Sequence, residues 1–210
     1  MDNRRREKPT PEPGQSWGVF GGAFDPIHYG HLNLAREIFG LKHLAGVLFV
    51  PSINPPHRGV EVMAAFHHRL AMVELAVASE PECLSCPIER DAELSGYTLD
   101  TLRALKLKFP RVEWRLIVGA DHAASFSTWY RPEEILKEAR LIIGVRPGFD
   151  IDAFKAVDMS RTEIVVTSPV DLSSTEIRQR IAGGIDESEL SRLVPPAVAA
   201  YIATHRLYQP

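Results

Sequence analysis

The stretch WGVFGGAFDPIHYGHL, residues 17–32, decides the fold. An apolar run at 17–20 enters the Gly21-Gly22 turn, and an amphipathic run at 31–40 follows. Strand, glycine turn and helix open a β-α unit, and the same rhythm returns along the chain. VLFV at 47–50 precedes an amphipathic 66–79, an apolar run at 82–88 precedes 98–109, and WRLIV at 114–118 precedes 132–139. LIIGV at 141–145 leads into a segment at 150–157 without a clear period, and EIVVT at 163–167 closes the series. Short apolar runs alternating with helices predict an α/β fold, a Rossmann-like doubly wound parallel sheet covered on both faces, with right-handed crossovers. No internal repeat appears at periods of about 20 to 50 residues.

After the last strand the pattern becomes helical. Ser173 stands three residues before Glu176, the spacing of a capping box, and opens a helix through Ile177 and Ile181 that Gly183-Gly184 ends. A second short helix follows, and Pro195-Pro196 starts a third carrying Val198, Tyr201 and Ile202. The expected organisation is a charged, Pro-rich and disordered tail at 1–16, a core at 17–170 and a small C-terminal helical cap at 171–210 that completes the site.

The chain has 210 residues, 45% hydrophobic and 24% charged, which excludes global disorder and collagen-like repeats. Lys plus Arg number 24 against 27 Asp plus Glu, so no basic field draws the protein to nucleic acid or anionic lipid. Any phosphate must be captured locally. No membrane-length apolar stretch exists, and no apolar region follows Arg4-Arg5-Arg6, so a cytoplasmic, unsecreted protein without nucleic-acid or membrane partners is expected. A homo-oligomer stays open. Cys83 and Cys86 form a CxxC, but zinc requires two further ligands and a redox pair sits at a helix start. Flanked by Pro81 and Pro87 in a strand-like stretch, they read as structural thiols.

Ligands of such sheets bind at the carboxyl ends of the strands. There, adjacent glycines let the backbone approach a ligand, and a helix start presents N–H donors and positive dipole to an anion. His28 and His31 share one face of the first helical turn, and Gly30 keeps bulk off that face. Two imidazoles can donate to phosphate oxygens without adding two permanent charges. These residues suit a polyphosphate. They are neither GxxxxGK(S/T) nor GxGxxG, which argues against a P-loop enzyme and a dinucleotide fingerprint.

GGAFDPIHYGHL at 21–32 resembles the HxGH signature of the nucleotidyltransferase superfamily, and LSSTEIR at 172–178 resembles its ISSTxIR. Four further stretches narrow the resemblance to bacterial nicotinate-nucleotide adenylyltransferases. PSINPPHR at 51–58 resembles their PxxxPPH(K/R), SGYTLDTL at 95–102 their YTxxTL, GAD at 119–121 their GxD, and FSTWY at 126–130 their FxxW. LVPPAVAAYIATHRLY at 193–208 resembles their terminus, so the likeness runs from Trp17 to Tyr208.

The resemblance implies adenylyl transfer from ATP to nicotinate mononucleotide, with His28, His31 and Arg178 as the catalytic groups. Around ATP it implies Gly21, Gly22, Ala23, Phe24, Gly30, Gly119, Asp121, Arg146, Ser173, Ser174 and Thr175 besides those three. The two histidines fall to the α-to-β phosphate region, and Ser174, Thr175 and Arg178 to the leaving pyrophosphate. Asp121 would accept hydrogen bonds from a ribose or an adenine amine, and Arg146 would lie beside the adenine. A rigid Pro-Pro turn carrying Asn54, His57 and Arg58 suits the mononucleotide's phosphate monoester. Trp129 would stack on the pyridine ring with Tyr97 nearby, and backbone donors near Thr98 and Tyr130 would take the carboxylate. No metal ligands are expected in the chain, and Mg²⁺ should arrive with ATP. Two other readings stay open: a phosphopantetheine adenylyltransferase-like enzyme, although that family usually has Thr at the position of His28, and a nucleotide-binding regulatory module. A class I aminoacyl-tRNA synthetase shares an HIGH-like motif, but this chain is too short for an anticodon module and lacks KMSKS.

Overall fold

The computed structural model describes residues 8–55, 62–154, 157–168 and 170–209. The chain opens with β1 (Ser16–Gly22), α1 (Tyr29–Leu41), β2 (Gly46–Pro51), α2 (Phe66–Val77) and β3 (Cys83–Ser85). Next come α3 (Ile88–Asp91), α4 (Thr98–Lys108), β4 (Glu113–Gly119), α5 (Ala120–Ala123), α6 (Pro132–Glu138), β5 (Arg140–Val145) and β6 (Thr162–Val166). The chain continues with α7 (Ser174–Ala182), α8 (Glu187–Leu190) and α9 (Pro196–Thr204). The strands pair in parallel in the order β3-β2-β1-β4-β5-β6. This is the doubly wound sheet that the alternating runs imply, with the strand order reversing beside β1.

Side chains alternate across the sheet and build two cores. Phe20, Val47 and Phe49 face α1, α2, α7 and α9 through Leu32, Ile38, Met72, Ile177 and Ile202. Trp17, Val19, Leu48 and Leu116 face α4 and α6 through Leu99, Leu102, Ile135 and Leu136. The C-terminal helices α7 and α9 therefore form one flank of the sheet and share its core with α1.

The pairing of β1 with β4 ends at Val19↔Leu116, whereas β1 stays with β2 to Gly22↔Pro51 and β4 with β5 to Gly119↔Gly144. The two central strands thus part over their last residues. A crevice opens where the strand order reverses.

Smaller differences from the expected elements have local causes. β3 stops at Ser85, because after the Cys86 N–H bonds Phe49 O at 2.9 Å the chain reaches Pro87, which has no N–H to continue the ladder. The aperiodic segment at 150–157 begins with a 3₁₀ turn at Ile151–Phe154, and a second such turn, Met159–Arg161, follows it. Cys83 and Cys86 are buried and unpaired, and burial pushes the Cys83 thiol up to about 12. Such a thiol is a poor nucleophile near neutral pH. Of the expected tail, residues 8–15 are described, and Lys8 Nζ donates to Val77 O at 2.6 Å and Cys83 O at 3.0 Å. Among the described residues no helix is long and apolar enough to cross a membrane.

Candidate functional site

His28 holds an extended conformation, φ −147° and ψ 172°, and N-caps α1. Its Nδ1 accepts the Gly30 N–H at 3.1 Å, and His31 Nδ1 accepts the His28 N–H at 3.3 Å. This is a capping box in which two imidazoles replace the usual hydroxyl and carboxylate. A ring whose Nδ1 accepts carries its proton on Nε2 while neutral, so the caps select the same tautomer twice. The rings lie 3.8 Å apart, tilted by 32°. Burial pushes His28 down to about 4, and burial together with the neighbouring His28 and His122 holds His31 well below the ordinary histidine range. The result is two adjacent neutral rings, each with an Nε2–H donor not used by the cap. A Cβ on Gly30 would stand 2.9 Å from the His28 ring, which accounts for the glycine between them.

This arrangement makes stability depend on pH. The unfolded chain takes a proton at His28 near 6.5 and the folded chain only near 4, so between these values the unfolded state binds more protons and stability rises with pH. Lowering the pH from 7 to 5 should cost about 2 kcal/mol through His28 alone, with His31 adding in the same direction. Urea unfolding at pH 7, 6 and 5 measures this. His28→Asn, which keeps an N-cap acceptor but does not titrate, should flatten the slope, and an equal slope in the variant contradicts the assignment.

Phe24 precedes the histidines with φ +49°, and its buried ring lies 5.1 Å from His31, 5.7 Å from Phe20 and 5.6 Å from Phe49. Aromatic packing holds this residue in a backbone region that phenylalanine rarely adopts.

The second signature docks on the first. Ser173 Oγ accepts the Glu176 N–H at 3.1 Å and caps α7, as expected. Ser174 Oγ donates to Pro26 O at 2.9 Å. Arg178 donates from Nη1 to Asp25 O at 2.8 Å and from Nη2 to Thr175 Oγ1 at 3.3 Å. The N-terminus of α7 is thereby tied two and three residues ahead of His28, so two helix starts distant in sequence converge. Gly119 and Asp121 lie across the crevice at the end of β4, with Asp121 exposed. Arg146, after β5, pairs with Asp171 at 3.1 Å in an exposed contact worth about 0–1 kcal/mol.

In the turn that the resemblance assigns to the acceptor, Asn54 is exposed beyond β2, while His57 and Arg58 lie outside the described residues. Gly96 has φ +89°, and a Cβ there would come within 2.2 Å of Asn54 O, so the Tyr97 loop can approach the Asn54 loop only through a glycine. The rings of Tyr97 and Tyr130 lie 4.7 Å apart, tilted by 31°, and are 38% and 45% exposed. Trp129 is partly buried and packs on Phe126 at 5.3 Å. The exposed aromatic surface is therefore the tyrosine pair, in which Tyr130 offers a ring where the sequence suggested only a backbone donor. No side chain caps α4 at Tyr97, which leaves the helix start at Thr98 to its backbone donors. If these loops form the acceptor site that the resemblance implies, Gly96→Ala raises KM for the acceptor at least about tenfold, equivalent to 1.4 kcal/mol, and leaves KM for ATP within about twofold. Steady-state kinetics with each substrate varied in turn checks this.

Four residues that the sequence reading did not single out build this site. Asp25 is buried, and Oδ1 accepts from Tyr208 Oη at 2.7 Å and the Ala64 N–H at 3.1 Å, while Oδ2 accepts the Met63 N–H at 2.8 Å. Arg69 is 1% exposed and donates to backbone carbonyls of Ala23, Ser52, Ile53 and Ala64. Glu89 is buried and accepts the Ile53 N–H and the Thr101 hydroxyl, both at 2.8 Å. A signal for Arg69 did exist: at helical spacing it shares a stripe with buried Met72, Val73 and Ala76, where a charge is out of place.

Comparisons with known proteins identify the family. The cytidylyltransferase-like family model matches residues 19–180. A relative from Laribacter hongkongensis is 40% identical over 215 residues, covering 94% of this chain and 96% of that protein. Another, from Herpetosiphon aurantiacus, is 37% identical over 199 residues, covering 92% and 98%. Both bear the name "Probable nicotinate-nucleotide adenylyltransferase". The Plasmodium falciparum nicotinic acid mononucleotide adenylyltransferase complexed with NaAD shares the fold, with a TM-score of 0.75 at 23% identity over 92% of this chain and 97% of that one. Identity of this extent along nearly the whole of both chains leaves one conclusion: this chain belongs to the nicotinate-nucleotide adenylyltransferase family.

Proposed function

We propose that the protein transfers the adenylyl group of ATP to nicotinate mononucleotide, giving nicotinate adenine dinucleotide and pyrophosphate. A phosphate oxygen of the mononucleotide forms a bond to the α-phosphorus. The bond from that phosphorus to the bridging oxygen breaks, and pyrophosphate leaves in line with the bonding pair. The attacking phosphate is anionic near neutral pH, so no general base is needed, and catalysis consists of alignment and charge stabilisation.

The observation that carries this reading is the pair of neutral Nε2–H donors set by the double histidine cap beside the docked N-terminus of α7. His28 and His31 donate to the α-to-β phosphate region. The start of α7 and the remaining N–H groups of Arg178 face the departing pyrophosphate. Tyr97 and Tyr130, with Trp129 behind, receive the pyridine ring, the start of α4 at Thr98 receives its carboxylate, and Asn54 belongs to the acceptor phosphate turn. Asp121 serves the ribose or adenine, with Arg146 at the adenine side. By resemblance alone, His57 and Arg58 serve the same acceptor phosphate.

We place Mg²⁺ with the nucleotide. Both oxygens of Asp25 are already engaged, and among the described residues no group of three or more His, Cys, Asp or Glu could hold a metal ion. Bound to the phosphates, the ion neutralises part of their charge.

The test is incubation of the purified protein with ATP and nicotinate mononucleotide, following pyrophosphate release, with nicotinamide mononucleotide and phosphopantetheine as alternative acceptors. Release with the first acceptor in preference to the other two is the expected result. Equal or faster release with phosphopantetheine overturns the reading, as does ATP binding with no release for any acceptor.

A further inference from the structure

The last backbone hydrogen bond between the paths of β1 and β2 runs from the Ser52 N–H to Gly22 O at 2.9 Å. Beyond it the two chains diverge, one into the histidine loop and the other into the acceptor turn. At the point of divergence Arg69 Nη1 donates to Ala23 O at 2.7 Å and to Ser52 O at 2.8 Å, Nη2 reaches Ile53 O at 3.4 Å, and Nε reaches Ala64 O at 3.1 Å. One planar guanidinium therefore carries the tie between the two chains beyond their last ladder bond and adds a third segment at Ala64. From the other side Glu89 Oε2 accepts the Ile53 N–H at 2.8 Å, and Thr101 steadies its second oxygen at 2.8 Å. The Ser52–Ile53 unit is gripped by a cation on its carbonyls and a carboxylate on its amide.

We propose that this Arg69–Glu89 clamp fixes the distance between the nucleotide loop and the acceptor turn, and so sets the line of attack on the α-phosphorus. The inference rests on the adenylyl-transfer reading. Both are positioning residues, because each is buried and grips backbone, Arg69 through four carbonyls and Glu89 through the Ile53 N–H. Burying a guanidinium is costly, and an apolar side chain of similar volume commonly stabilises a core as well or better. Only a rigid fork with five N–H donors, however, can hold carbonyls from separate segments in one plane. Here the charge defines a geometry, and phosphoryl transfer depends on geometry.

The test is Arg69→Lys in the full chain, with kcat from pyrophosphate release and with Kd for ATP and for nicotinate mononucleotide each measured alone by calorimetry. A lysine keeps the charge but cannot span the three segments. The clamp predicts a fall in kcat of about 10²-fold, the scale of a ~1 Å misalignment, with each Kd within about threefold of the parent. A folded variant with kcat within about threefold of the parent overturns the proposal, and so does a loss carried wholly by weaker binding. If Arg69→Lys does not fold, Glu89→Ala frees the Ile53 N–H on the opposite side of the same turn and must show the same split, at about tenfold in kcat. An unchanged kcat in that variant also overturns the proposal. The parent assay separates the two claims: an inactive parent counts against the reaction, whereas an active parent with unaffected variants counts against the clamp.

Discussion

His31→Ala is expected to remain folded and to lose about 10² to 10³ in kcat, the usual cost of removing a preorganised donor from a site of developing charge. The fold should survive because the cap of α1 is doubled. His28 Nδ1 still accepts the Gly30 N–H, and only the His28 N–H loses its partner, a loss of about 0.5–2 kcal/mol. The ring also leaves the edge-on contacts with Phe20 and Phe24, at 5.8 and 5.1 Å, without disturbing the contact between those two. Melting temperature and kcat measured on the same preparation separate the outcomes. Near-full turnover in a folded variant removes His31 from the reaction. A loss of activity matched by a loss of structure reduces it to a cap.

Asp25→Ala is expected to have the largest effect on stability. Three donors, the N–H groups of Met63 and Ala64 and the hydroxyl of Tyr208, lose their acceptor together, and the buried Arg69 loses a nearby negative charge. Each buried orphan costs about 1–3 kcal/mol, but Met63 is 60% exposed and its N–H can turn to water. A total of about 3–5 kcal/mol follows, as for other buried charges deprived of a partner. That is a large part of the about 5–15 kcal/mol by which domains are stable. Tyr208→Phe removes one of the three bonds and should cost only about 1 kcal/mol. Urea denaturation of both variants beside the parent decides it. An Asp25→Ala protein within about 1 kcal/mol of the parent shows that the carboxylate holds nothing together.

Much of this was legible before any coordinates. The alternation of apolar and amphipathic runs reports burial directly, so the parallel sheet and the faces of α1, α2 and α4 could be read from it. The histidine pair was equally legible, because the three-residue spacing and a helix start leave few arrangements open. Its tautomers were not, since they depend on which backbone N–H each ring meets. Arg69 and Glu89 stayed hidden for another reason. Arg69 shows only as a charge on the apolar stripe of α2, Glu89 in the run Glu89-Arg90-Asp91 looks like ordinary surface charge, and most of their partners are backbone atoms, which carry no sequence signal. The shift of the exposed aromatic surface from Trp129 to Tyr97 and Tyr130 depends on which ring Phe126 claims for the core, a matter of packing that spacing alone does not settle.

The hydrogen bond from Tyr208 to Asp25 joins residues 183 apart in sequence. Closing so long a loop in a free chain costs about 4–5 kcal/mol of entropy, more than one hydrogen bond returns. The contact can form only after the sheet and its flanking helices have brought the two segments near each other. The loop before His28 is thus locked by a residue from the opposite end of the sequence, and its setting presupposes the scaffold around it.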